Sequence, residues 1–445
     1  MKKITLDEAL ERVVDDVNVG RFVDIRRHLD PTWIDAALHA TGTATLRKRR
    51  LPAEQVVWLV LGMALYRRTP INELVDRLDL VLPGNAKGMA GSAVVEARAR
   101  LGADPIKWLF EKSAKKWAHE SARKDAWRGL ALYGVDGSTL RVSDSTENRA
   151  HYGGSTGQRG DSGYPLVRIA TLMALRSHLM ASVEFGPYKQ SEIALASSLW
   201  KEVPQDSLLI VDRGFLSAGI LVPLSRDGIN RHWLTRAKST TKWRVIEKLG
   251  KHDDLVEFNV SAQARARDPS LPKTYRARVV RYEKKGHRPS TLVTSMTDHK
   301  AFPSSELVAL YHERWELEIG YDEIKTQMLD RQESIRSKNV EGVAQELWGI
   351  FLAYNLIRLE MARNAAKLGV HPIRISFVGA MRIICDEWTW ASASTPGSIP
   401  KNLARISEKI AELVLPLRRT ERLYPREVKI KMSSYPRKRP KLAVS

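Results

Sequence analysis

The first 128 residues repeat apolar positions at a helical period. The segments ERVVDDVNVGRFVDIRRHL, PTWIDAALHA, AEQVVWLVLGMALYRR, INELVDRLDLVL and SAVVEARARLG are parted by Pro or Gly, with Ser or Pro near their starts. That punctuation predicts a run of short helices. From Leu130 the pattern turns to alternation with β-branched residues. LALYGVDGSTLRVS, LVRIATLMALRS and LMASVEFGPYK read as three successive strands, the last two joined tightly near Ser177. HYGGSTGQRGDSGY, between the first two, has five glycines in fourteen residues and reads as a mobile loop. It lacks the GK[ST] ending of a P-loop, which argues against an ATP site. A helix, SEIALASSLWKEV, and a strand, SLLIVD, follow, and another helical segment begins after Gly214. Between about 229 and 298 the texture is again that of strands, HWLTRAK, KWRVIEKL, LVEFNV, YRARVVRYEK and STLVTSM, rich in Arg, Lys, Trp and Tyr. Two long helical patterns with broad apolar faces close the ordered part, SIRSKNVEGVAQELWGIFLAYNLIRLEMARNAAKL and IRISFVGAMRIICDEW. SASTPGSIPKN then marks a break before one more helix.

The chemistry concentrates in Tyr311–Lys325, YHERWELEIGYDEIK. At ~100° per residue, Tyr311, Arg314, Glu318 and Lys325 fall within roughly 60° of one another on a continuous helix. Leu310, Leu317, Tyr321, Ile324 and Met328 form an apolar stripe beside them, so the helix can dock on a core with four polar side chains at its edge. A carboxylate beside an arginine, a lysine and a phenol suits a cation together with the phosphates around it. A solvated helix face laced with salt bridges shows the same spacing, so the stripe alone leaves both readings open. Asp136 and Asp212 each end a short apolar run, LALYGVD and SLLIVD, and each is followed within two residues by glycine. Three carboxylates then need a common centre. Asp322 lies only about 40° from Glu318 on the same wheel, and spacing does not choose between them.

Composition narrows the partner. Lys plus Arg total 72 against 51 Asp plus Glu, a net charge of +21 spread over the chain, which points to a polyanion. LRKRR, Leu46 to Arg50, sits among the N-terminal helices as either a phosphate-contacting cluster or a solvated basic corner. The tail from Leu417 carries ten Lys or Arg against two Glu, the composition of a disordered segment loosely held on such a partner. The longest apolar run, Val56 to Tyr66, is far short of the ~20 residues that span a bilayer. MKKITLDEALERVVDD has acids where a signal peptide needs its apolar segment, so a cytoplasmic location is expected. A single cysteine, Cys385, excludes both a disulfide framework and a thiolate zinc site, and is read as a small buried apolar residue. The histidines form no HExxH-type spacing, so a bound metal would take oxygen ligands.

The spacing Tyr, two residues, Arg, three residues, Glu, six residues, Lys resembles the YREK signature of the DDE transposases of the insertion sequence 4 family, and it matches at all four positions. DGSTLRVSDSTEN after Asp136 and VDRGF around Asp212 resemble that family's two aspartate motifs, and LWGIFLAYNLIR is of the family type. Recognisable pieces run from about Leu51 to Arg358. The order strand, strand, strand, helix, strand is that of an RNase H-like sheet, giving an α/β fold class. A β-strand insertion before the last catalytic helix, typical of the family, an N-terminal helical domain and C-terminal helices complete it. The expected domains are 1–128 (helical, DNA-binding), 129–372 (catalytic, with the insertion at about 229–298) and 373–445 (helical, with the basic tail).

The resemblance implies a transposase that binds the terminal inverted repeats of an insertion sequence and carries out cut-and-paste transposition. Asp136, Asp212 and Glu318 would be its catalytic, metal-holding residues, with two Mg²⁺ or Mn²⁺ ions, Asp136 bridging both. Strand hydrolysis and transfer share one in-line displacement, so one site can nick an end and later join it. In the family a freed hydroxyl then closes a hairpin. Tyr311, Arg314 and Lys325 would hold the DNA end, with Arg236 and Lys238 in LTRAK as a basic motif nearby. Trp315, Trp233 and Trp243 are candidate platforms for a flipped base, and a core role serves each equally well. Double-stranded DNA, both ends and target, and a second copy in the synaptic complex are the expected partners. A structure-specific nuclease or resolvase on the same fold, and a catalytically silent DNA-binding regulator, are the alternatives.

Overall fold

The computed structural model describes residues 29–44, 51–80, 89–156, 160–283, 289–330, 335–391, 405–406 and 408–416. The helix read over 11–28, the LRKRR cluster, the break at 392–402 and the tail from Leu417 lie outside the described residues.

The chain begins with helices α1 (Pro31–Ala40), α2 (Ala53–Leu65), α3 (Ile71–Arg77), α4 (Gly91–Leu101) and α5 (Asp104–Lys124). Strand β1 (Ala131–Arg141), helix α6 (Thr146–Tyr152) and strands β2 (Leu166–Ala174), β3 (Met180–Pro187) and β4 (Ser207–Val211) follow. Helix α7 (Ala218–Arg226) leads to β5 (Arg231–Arg236), β6 (Arg244–Gly250), β7 (Asp253–Asn259), α8 (Ala262–Arg267), β8 (Thr274–Tyr282) and β9 (Ser290–Thr294). The last elements are α9 (Ser304–His312), α10 (Trp315–Asp322) with a π-helical extension Glu323–Met328, α11 (Val340–Leu368) and α12 (Phe377–Ala391). Two compact units result.

One unit comprises Lys115–Leu140 and Tyr152–Tyr321 among its described residues and holds a nine-stranded sheet in the order β3-β2-β1-β4-β5-β9-β8-β7-β6. β2 and β3 are antiparallel, while β1, β4 and β5 run parallel. The order 3-2-1-4-5 with that direction pattern is the RNase H-like sheet. β1 and β4 are central, and the five residues from Ala131 to Val135 and all of β4 are buried, as strands covered on both faces must be. Arg231–Arg236, read from sequence with the insertion, pairs parallel with β4 and supplies the fifth core strand. The added strands extend the same sheet, starting with β9 antiparallel to β5. The helix expected over SEIALASSLWKEV is reduced to an α turn, Glu192–Leu195, and a 3₁₀ turn, Leu199–Glu202. Ser198 donates its hydroxyl to Glu184 Oε1 at 2.9 Å, the side-chain competition that makes serine a poor helix-interior residue.

Among its described residues the other unit holds those between Leu29 and Ala114, Arg141–His151 and those between Asp322 and Pro416. Val56–Ala64 of α2 are buried throughout, as are Glu346–Arg358 of α11. Asn339 caps α11 by accepting from Gly342 N, and Gly369 ends it at φ 63°. Glu346, inside this unit, takes the Arg67 guanidinium at 2.5 Å and the Ser337 backbone N–H at 3.1 Å, so its buried charge is paired.

Candidate active site

The sheet assembles the polar residues first. In the parallel register Val135 lies beside Val211, and Ile210 beside Leu234. One step beyond the first pair stand Asp136 and Asp212, and two beyond the second stand Asp212 and Arg236. Asp136 in β1, Asp212 directly after β4 and Arg236 at the end of β5 thus lie at the same end of neighbouring strands, whose axes are ~4.8 Å apart. Asp136 Oδ1 accepts from the Gly137 N–H at 2.8 Å.

The glutamate helix is then set across the sheet. Gly134 permits it: a Cβ there would lie 2.7 Å from Leu317 Cδ1 and 2.9 Å from Leu175 Cδ2. Leu317 and Tyr321 are buried on the sheet side. The Tyr321 hydroxyl donates to the Asp136 carbonyl oxygen at 2.7 Å and meets Thr171 Oγ1 at 2.9 Å. One turn of α10 is thus pinned to the strand that carries Asp136, with Glu318 at its exposed edge.

The helix differs from the continuous one that periodicity predicts. It is broken at Glu313–Arg314, where Glu313 N, Arg314 N, Glu316 N and Leu317 N all bond to carbonyls three residues back. Side chains hold this tight turn. Arg176 forks onto both oxygens of Glu313 at 2.9 and 2.8 Å and donates to the Asp125 carbonyl, while His178 Nε2 meets Glu316 Oε2 at 2.8 Å in a buried pair. Beyond Asp322 the winding widens to π over Glu323–Met328, which carries Lys325.

Arg314 reaches into the space between two carboxylates. Its Nη2 lies 2.8 Å from Glu318 Oε1 and its Nη1 3.7 Å from Asp136 Oδ2. Burial pushes the Asp136 carboxyl up to about 6, with the charges of Glu192 and Asp212 adding to the rise, against the Gly137 N–H and Arg314 that lower it. A carboxylate so crowded favours a neighbouring cation. Among the described residues no three Asp, Glu, His or Cys groups converge closely enough to cage a metal as the side chains stand. The donors that face one another here are all oxygens, the set a hard divalent cation takes, and a guanidinium already supplies positive charge among them.

The remaining candidates separate. Tyr311 is buried, which raises its phenol, and the charges of Arg314, Asp212 and Arg236 all reach it. Lys238 is exposed, and its backbone N–H donates to Thr241. Trp315 is 57% exposed, whereas Trp233 is buried and Trp243 sits beside Phe258. Trp233 is therefore a core residue. Asp322 accepts from Thr326 Oγ1 at 2.6 Å, and it and Lys325 belong to the other compact unit.

Sequence reasoning did not find Glu192. A Cβ on Gly137 would lie 2.7 Å from its Cγ, and Arg168 Nη1 holds its Oε1 at 3.0 Å. No periodicity links Glu192 to β1, and only the sheet places it there. The Tyr321 hydroxyl left a signal: a tyrosine in an apolar stripe needs a polar partner for its O–H.

The site sets aspartates at the same end of two paired parallel strands of an RNase H-like sheet, a frame shared by enzymes that process nucleic-acid backbones. Residues 20–111 match the family model described as insertion element 4 transposase N-terminal, and residues 130–356 match the transposase DDE domain. The chain is 41% identical over 411 residues to the transposase InsG for insertion sequence element IS4 of Escherichia coli (strain K12), covering 92% of each chain. It is 39% identical over 224 residues to the putative transposase InsZ of the same strain, covering 49% of this chain and 73% of that one. A cryo-EM structure of a piggyBac transposase synaptic complex with hairpin DNA overlaps at a TM-score of 0.43 and 11% identity, over 92% of this chain and 86% of that one, too distant to transfer residue roles. The chain belongs to the insertion sequence 4 family of DDE transposases and is a DNA transposase.

Proposed function

We propose that Asp136, Asp212 and Glu318 are the catalytic carboxylates of a cut-and-paste transposase acting on the inverted-repeat ends of its own element. The observation that carries this is their placement: Asp136 in β1 and Asp212 directly after its parallel partner β4, with the Glu318 helix bound through Tyr321 to the backbone of Asp136. These residues would hold Mg²⁺ or Mn²⁺, two ions per site. The ions would supply Lewis-acid stabilisation of the in-line displacement at phosphorus and lower the pKa of the attacking hydroxyl or water. The chain's own part is to fix the carboxylates, to keep the Asp136 side chain largely out of water, and to bind the DNA end. Tyr311, Arg314 and Arg236 cluster electrostatically beside the aspartates, where phosphates would lie. Lys238 and the exposed face of Trp315 extend the contact to the end's backbone and bases, and Lys325, by its place in the YREK pattern, would hold a phosphate of the end.

Residues 1–128 would add end binding, 129–372 the catalysis and 373–445 further basic contacts. The protein would work as a homodimer once two ends are paired, in the cytoplasm. Among the described residues no helix is long and apolar enough to cross a membrane.

The test is incubation of the purified protein with supercoiled plasmid carrying the repeats that flank its gene, with Mg²⁺, Mn²⁺ or chelator. Metal-dependent nicks at the repeat ends followed by joined products are expected. Cutting without joining would favour a nuclease or resolvase, and binding without cutting a silent regulator.

A further inference from the structure

Arg314 lies where a metal ion would compete with it. Its guanidinium contacts Glu318 Oε1 at 2.8 Å and faces Asp136 Oδ2 at 3.7 Å, and its side chain is only 15% exposed. Arginine stays protonated at any working pH, so this charge leaves only if the side chain moves. A cation drawn to Asp136 and Glu318 together meets the guanidinium first, and like charges at that range repel.

The backbone beneath Arg314 is held in place. The fork from Arg176 to Glu313 and the buried His178–Glu316 pair fix the residues on either side of Arg314–Trp315. Movement therefore falls to the Arg314 side chain. The Trp315 ring, largely open to solvent, already lies 5.8 Å from the guanidinium carbon, so the side chain can swing outward while keeping its cation–π contact. A DNA phosphate at the Tyr311–Arg236 side would offer a bidentate partner stronger than a half-exposed carboxylate.

We propose that Arg314 is a resident counter-cation that holds Asp136 and Glu318 until a DNA end draws it away, so that metal binding is coupled to an occupied end. This rests on the assignment of Asp136 and Glu318 as metal ligands. The coupling is reciprocal: whatever factor the end adds to metal affinity, the metal adds to end affinity. It keeps the site from being charged with metal before the correct phosphates are present.

The test is titration calorimetry of the full-length protein with Mn²⁺, with and without a duplex of its own inverted-repeat end, for the wild type, Arg314→Gln and Asp136→Asn. Without DNA, Arg314→Gln binds Mn²⁺ about tenfold more tightly than the wild type. Adding the duplex tightens the wild type markedly and the variant much less. Equal or weaker Mn²⁺ binding by folded Arg314→Gln without DNA overturns the proposal, as does an equal gain from DNA in both proteins. Arg314→Lys, which keeps the charge but cannot span both carboxylates, gives an intermediate affinity and serves if the glutamine variant unfolds. Unchanged Mn²⁺ binding in Asp136→Asn would overturn the metal assignment itself. Loss of binding there with no Arg314 effect overturns only the counter-cation role.

Discussion

Asp136 is ionised at a cost, because its carboxyl is removed from water beside two other carboxylates. Its folded pKa, about 6, lies above the unfolded 3.8, so the folded protein binds more protons between those values. Stability from this group is present below about pH 4 and is lost as pH rises through about 6. In urea unfolding with chelator from pH 4 to 7, the stability of the wild type should fall across that window relative to Asp136→Asn. Asp136→Asn should lack that part of the loss, and parallel profiles would contradict the account. Gly134 makes a second prediction at this scale. Gly134→Ala drives a methyl into Leu317 and Leu175, which should cost about 1–3 kcal/mol by overpacking. It should also reduce strand cleavage beyond the loss of folded protein, because the displaced residue adjoins Glu318. The need for glycine at 134 was invisible in the sequence, since what presses on it comes from Leu175 and Leu317, both distant along the chain.

Among the elements, α10 shows both what periodicity reads and what it misses. The apolar stripe of Leu317 and Tyr321 was legible and is buried as expected. The break at Glu313–Arg314 was not, because it is held by Arg176 and His178 from the β2–β3 hairpin, partners with no periodic relation to the helix. The same holds for the shortened turn at Glu192–Leu195, beyond which the Ser198 hydroxyl is drawn to Glu184, and for Asp322. On the helical wheel Asp322 rivalled Glu318, but its carboxylate is engaged by Thr326. Tyr321→Phe isolates the docking of this helix. It removes the hydroxyl from the Asp136 carbonyl and Thr171, and should cost about 1–2 kcal/mol. Mn²⁺ affinity should weaken as well, measured by calorimetry. A variant that loses stability and keeps wild-type metal affinity would show that Tyr321 only packs.

Over the whole molecule, the core sheet was largely legible because buried parallel strands leave apolar runs, LALYGV and SLLIV, that end in the two aspartates. The fifth strand was harder to place, since HWLTRAK shares its basic, aromatic texture with the strands that extend the sheet. The excess of basic residues gives +21 and predicts end binding that weakens steeply with salt. The logarithm of affinity should fall linearly with the logarithm of salt concentration as counterions are released. A flat response in fluorescence anisotropy between low and moderate salt would contradict a DNA footprint of that size. The central claim is that Asp136, Asp212 and Glu318 act as one metal-holding unit while neighbouring charges hold DNA. The most direct measurement compares Asp136→Asn, Asp212→Asn, Glu318→Gln and Asp322→Asn for Mg²⁺-dependent cleavage of a plasmid carrying the repeat ends, with end binding measured in parallel. The first three should lose cleavage and joining while binding persists, and Asp322→Asn should change both only modestly. Normal Mg²⁺-dependent cleavage by Asp212→Asn or Glu318→Gln would place the chemistry elsewhere.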